Sequence, residues 1–167
     1  MYNLSRKKIR GLQRKHIVLK KRISEMCSFF PNEEEKYWHM PMPCSDLILD
    51  YPKVRHKFRL SMVRFLIEQS EHLNSIKPTN RYVKIVCCLP LDHLWGAQII
   101  VFFNKEYYEA FFNRREEYQK WTEIELSKSM KKHWLVFNDL NKFRGFHEEI
   151  RNEEVSFEQD IWFYECQ

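Results

Sequence analysis

Gln98-Ile99-Ile100-Val101-Phe102-Phe103-Asn104 reads as a strand running into a helix cap. Five successive β-branched or aromatic residues leave no polar face, so this strand is expected inside a sheet covered on both surfaces. Asn104 supplies the side-chain oxygen that starts a helix. That helix shows an apolar face of Tyr107, Tyr108, Phe111 and Phe112 and continues toward Arg115. Upstream, residues 81–89 are rich in Val and Ile, with polar Lys84 among apolar neighbours, and predict a second strand. A loop over residues 90–96 joins the two.

Farther out, the series Val54, Phe58, Met62, Phe65, Leu66, Gln69 and Leu73 repeats at helical spacing and closes at Asn74 to Pro78. Before it, Ser45 and Asp46 can start a short helical turn. Tyr37-Trp38-His39-Met40-Pro41-Met42-Pro43 has two prolines two apart, which fits an extended edge strand where a missing N–H is harmless. Beyond the aromatic helix, residues 121–124 are ambiguous and residues 126–135 read as helix. Residues 146–151 with 160–165 read as a closing hairpin. The order α, β, α, β, β, α, α, β, β predicts one α+β domain over residues 1–167, a largely antiparallel sheet packed by helices. Within it, residues 1–30 form a basic amphipathic helix and residues 37–167 a sheet-and-helix body.

That first helix follows the seam Ile9, Leu12, His16, Leu19, Ile23, Met26 and Phe30 over about 22 residues, close to a heptad stripe. Arg6, Lys7, Lys8, Arg10, Arg14, Lys15, Lys20, Lys21 and Arg22 fall mostly off the seam, and no Asp or Glu occurs before Ser24. The whole chain of 167 residues carries +5; after Ser24, nineteen basic residues against twenty-three acidic leave −4. Positive charge is thus a property of one end. Such a block meets an anionic partner, forms a solvated face, or lies on an anionic membrane. The seam also permits a helix-paired homodimer, loosened when His16 is protonated.

Composition excludes several classes. A hydrophobic fraction of 44% with 16% aromatics excludes general disorder, and three glycines leave no Gly-rich phosphate loop. The longest apolar runs fall far short of the ~20 residues of a membrane-spanning helix. The N-terminal stretch lacks the apolar segment of a secretory signal. Five cysteines without framework spacing, two of them adjacent at Cys87 and Cys88, read as reduced core residues, so the cytoplasm is the expected location.

Chemistry is harder to find. Seven scattered histidines show no metal-ligand spacing, and neither a metal nor a cofactor is expected. Cys44, ahead of a helix start, is the most reactive-looking thiol. A metal-independent nuclease would need His39, His93 and Glu148 or Glu149 to meet, with Arg81 or Arg114 on the phosphate. The loop with Asp92, His93 and Trp95 and the strand edge with Trp38 and His39 are candidate contact points.

Tyr37-Trp38-His39, Ile76-Lys77-Pro78, Leu94-Trp95, Gln98 to Phe103, Phe111-Phe112-Asn113-Arg114, Tyr118-Gln119-Lys120-Trp121 and Ile161-Trp162-Phe163 resemble a family of small bacterial proteins. That family is catalogued as a domain of unknown function, mainly from spore-forming Gram-positive bacteria. The resemblance implies a bacterial protein and carries no catalytic residue. Where the pattern places another polar or His residue two positions after His39, this chain has Pro41, so no paired-histidine site is implied. The resulting expectation is a non-catalytic cytoplasmic protein whose basic helix contacts nucleic acid or an acidic protein surface. The alternatives are an immunity- or antitoxin-like or phage-related inhibitor of another protein, and a nuclease.

Overall fold

The computed structural model describes residues 11–32, 36–41, 56–90, 97–117, 119–133, 137–151 and 156–167. Four helices and six strands follow in the order α1 (Leu12–Met26), β1 (Tyr37–Pro41), α2 (His56–Ser75), β2 (Lys84–Pro90), β3 (Gln98–Phe102), α3 (Lys105–Glu116), β4 (Gln119–Lys120), α4 (Glu123–Lys132), β5 (Phe143–Arg151) and β6 (Ser156–Glu165). The strands form one antiparallel sheet in the order β1-β3-β2-β6-β5-β4. The architecture is the expected α+β, with β1 at one edge. The other edge, β4, is only two residues long, too short for alternation to reveal.

Strand alternation divides the interior in two. Ile85, Cys87 and Leu89 of β2, Ile99 and Val101 of β3, and Trp162 and Tyr164 of β6 share a core with α1, α2 and α4. Val86, Cys88, Ile100, Phe102, Ile161 and Phe163 face the other way and pack with Tyr108 and Phe112 of α3. Asn104 caps α3 as expected, its Oδ1 accepting from the Tyr107 N–H at 2.8 Å. Thr122 and Glu125 form a reciprocal capping box at the start of α4. The closing hairpin pairs His147 with Asp160 and starts earlier than its apolar pattern suggests, with Phe143 opposite Tyr164.

The first helix departs from expectation at its C-terminal end, stopping at Met26 rather than running to Phe30. Ser28 Oγ donates to the Glu25 carbonyl at 2.7 Å and satisfies a group that another turn would have used. The stripe shifts accordingly. His16, Leu19, Ile23 and Cys27 are buried, whereas Met26 is exposed. Cys27 lies four residues from Ile23, nearer the centre of the stripe than Met26. This stripe packs on α2 and the sheet of the same chain, so the seam expected to pair two copies is consumed internally.

Candidate functional site

Contacts between α1 and α2 step in the same direction along both helices. The His16 ring meets Phe58 edge to face at 5.5 Å, and Lys20 Nζ donates to Ser61 Oγ at 3.0 Å while lying 4.8 Å from the Phe65 ring centre. Lys20 therefore belongs to the helix–helix joint and not to the outward surface expected of it. Arg14, Lys15, Lys21 and Arg22 remain on the exposed arc. On that arc Lys21 contacts Glu25 at 3.7 Å, with both side chains largely in solvent, a geometry that neutralises little. Arg6, Lys7, Lys8 and Arg10 lie outside the described residues.

Parallel packing adds cations that sequence distance concealed. Lys57 and Arg64, seven residues apart, share one exposed stripe of α2, and Lys57 Nζ lies 5.4 Å from the ring centre of Phe58, which meets His16 of α1. On the arc itself, a cavity of about 310 Å³ is lined by Gly11, Arg14, Lys15, Val18, Leu19 and Arg22. Three cationic side chains thus border a recess with an apolar floor. The positive end of the α1 dipole adds to the same potential.

The strand-edge pair separates. Trp38 and His39 are consecutive on β1 and so point to opposite faces. Trp38 packs on the main core. His39 stands on the other face, its ring 5.8 Å from Tyr37, which in turn stacks on Tyr107 at 5.1 Å with planes 7° apart. Tyr37, His39, Gln98, Ile100, Tyr107 and Phe111 line a cavity of about 190 Å³. The loop candidates Asp92, His93 and Trp95 lie outside the described residues, as does Cys44.

Among the described members of the nuclease set, His39 and Glu148 do not meet. His39 is on edge strand β1 and Glu148 on β5, four places across the sheet, roughly 19 Å at ~4.8 Å per strand. Glu148 is instead held by Arg115 at 3.7 Å and by Gln159, whose amide donates at 3.1 Å. Among the described residues, no group of three or more His, Cys, Asp or Glu is arranged to hold a metal ion. Burial pushes the thiols of Cys27 and Cys88 up to about 11 and about 12, and that of Cys87 upward as well. The adjacent strand cysteines are therefore poor nucleophiles.

The sequence profile of the family described as "Protein of unknown function (DUF3916)" matches residues 20–165. The chain belongs to that family. No curated protein and no solved structure matches it. The region shared with DUF3916 starts inside α1 and takes in all six strands.

Within this DUF3916 chain, one ionisable cluster escaped the sequence reading. His147 Nδ1 lies 3.0 Å from Asp160 Oδ1, His133 Nε2 lies 3.6 Å from Asp160 Oδ2, and Glu158 lies 4.0 Å from His147 Nε2. His133 caps the C-terminus of α4, where a basic ring is favoured. Of these two rings, the Asp160 carboxylate is within hydrogen-bond distance of His147 alone. The signal was the hairpin register: once Phe146 is paired with Ile161, His147 must oppose Asp160.

Proposed function

We propose that the outward arc of α1, extended by Lys57 and Arg64 of α2, docks the phosphate backbone of nucleic acid. The protein is on this reading a non-catalytic binding protein of the bacterial cytoplasm, in keeping with the resemblance to proteins of spore-forming Gram-positive bacteria. One observation carries the reading. The apolar stripe of α1 is spent on its own core, while Arg14, Lys15 and Arg22 are turned outward around a recess and Lys21 is exposed on the same helix. Phosphate contacts from such a face position a strand without reading its sequence.

The test is salt dependence. Anisotropy of labelled duplex and single strands of mixed sequence is measured across a potassium chloride series. Four to six phosphate contacts give a log–log slope of about −3 to −5. Arg14→Glu with Lys15→Glu weakens binding more than about tenfold and flattens the slope by about two. A flat series, or no binding at low salt, removes the proposal.

An acidic protein surface is the second reading. It is favoured by Ile17 at 60% exposure and Phe29 at 80%, both near the arc. A phosphate backbone would leave such apolar surface unused, whereas a protein partner would bury it. Stoichiometric capture of one acidic protein by the wild-type chain but not by Ile17→Asp, with no salt-sensitive nucleic-acid binding, selects this reading.

A further inference from the structure

We propose that the recess between β1, β3 and α3 binds a nucleotide, the base stacking on its aromatic row and the phosphate resting at Lys36. The recess lies on the sheet face opposite α1, so the inference does not depend on the cationic arc.

Size limits the occupant first. An apolar cavity of roughly 150 Å³ admits a benzene ring, whereas drug-sized ligands fill roughly 300 Å³ or more. At about 190 Å³ this recess suits one planar ring system. Shape limits it further. Tyr37 and Tyr107 are parallel within 7°, and His39 continues the row at 28° to Tyr37. A flat ring is the guest such a row accepts by stacking.

Polarity then selects among flat rings. Gln98 lines the recess with an amide that both donates and accepts, opposite Cys88 in the β2–β3 register. The His39 ring offers a second polar edge. A plain hydrocarbon ring would displace water from both groups and return no hydrogen bond, while a nucleobase edge can replace what the water gave. Charge completes the match. Lys36 is exposed at the start of β1, its Nζ 6.0 Å from the Tyr107 ring centre. A ligand bearing an anion at one end and a hydrogen-bonding ring at the other meets all of these groups at once.

Calorimetric titration of the full chain with uridine, cytidine, adenosine and guanosine monophosphates, and with the matching nucleosides, tests the site. At least one monophosphate is expected to bind with Kd at or below about 1 mM. His39→Ala, at an exposed position, weakens it about tenfold by removing a stacking ring. Lys36→Ala weakens the monophosphate about threefold and leaves the nucleoside unchanged. Arg14→Glu with Lys15→Glu leaves nucleotide affinity intact, which separates this site from the polymer-binding arc. The proposal is overturned if no monophosphate binds at about 5 mM. It is equally overturned if His39→Ala and Gln98→Ala bind like wild type, or if Lys36→Ala costs the nucleoside as much as the monophosphate.

Discussion

Trp121 occupies the space that a side chain at Gly145 would need. A Cβ built there would lie 2.2 Å from Trp121 Cε3 and 2.8 Å from Leu126 Cδ1, and the Trp121 N–H donates to the Gly145 carbonyl at 2.9 Å. The indole thus lies over a bare rung of β5 and covers it, with α4 behind. Gly145→Ala forces the ring aside and is expected to cost about 1–3 kcal/mol, the usual range for overpacking. Urea denaturation followed by tryptophan fluorescence measures it. A midpoint equal to wild type would mean that the indole has somewhere else to go.

Acid weakens the joint between α1 and α2. His16 is 7% exposed, and its Nε2 has no hydrogen-bond partner among the described residues. Burial, then the neighbouring Lys20 charge, hold its pKa below the ordinary 6.5. The fold therefore favours the neutral ring. That contribution is complete above the unfolded value near 6.5 and is lost as pH falls below it toward the folded value. His16→Leu is expected to shrink the stability difference between about pH 7.5 and pH 5.5. Urea midpoints at both values check it, and an unchanged difference would place the acid sensitivity elsewhere.

The four described thiols are closed to reagents. Cys27, Cys87, Cys88 and Cys166 are buried, and burial raises Cys166 to about 12. In a Cys44→Ser variant the native protein should release no chromophore from Ellman's reagent over minutes. In denaturant all four should react. Fast reaction under native conditions would show that the sheet opens locally.

At α4, the Thr122 hydroxyl accepts from the Glu125 N–H, and the Glu125 carboxylate accepts from the Thr122 N–H at 2.9 Å. Thr122→Ala is expected to cost about 1 kcal/mol. The backbone N–H of Thr122, and then its hydroxyl, hold the Glu125 carboxyl below its usual value. Its contribution is present above the unfolded carboxyl range and fades as pH falls through the folded value. Glu125→Gln should flatten that acid limb, as thermal melts across an acid series would show.

Local pattern was readable where one period sufficed. The continuous apolar run of β3, the Asn104 cap and the stripe of α2 each follow from side chains within a few residues of one another. What escaped depends on pairing. β4 exists only because Gln119 and Lys120 reach His147 and Phe146. The His147–Asp160 contact needs the exact hairpin register, and the addition of Lys57 and Arg64 to the basic surface needs the direction in which α1 lies on α2. His39 was singled out at a strand edge, but Tyr107, which lines the same recess, comes from a helix that begins after β3. No spacing within the chain encodes that meeting.

The inner stripe of α1 shares one interior with Leu89 and Trp162, which makes the helix part of the sheet's own melting unit. Anything its outer side holds must be released before the strands come apart. By mass action, a polyanion bound there raises the temperature at which β-structure disappears, in proportion to the logarithm of its concentration. A thermal scan by circular dichroism thereby reports occupancy of the helix with no label on either molecule.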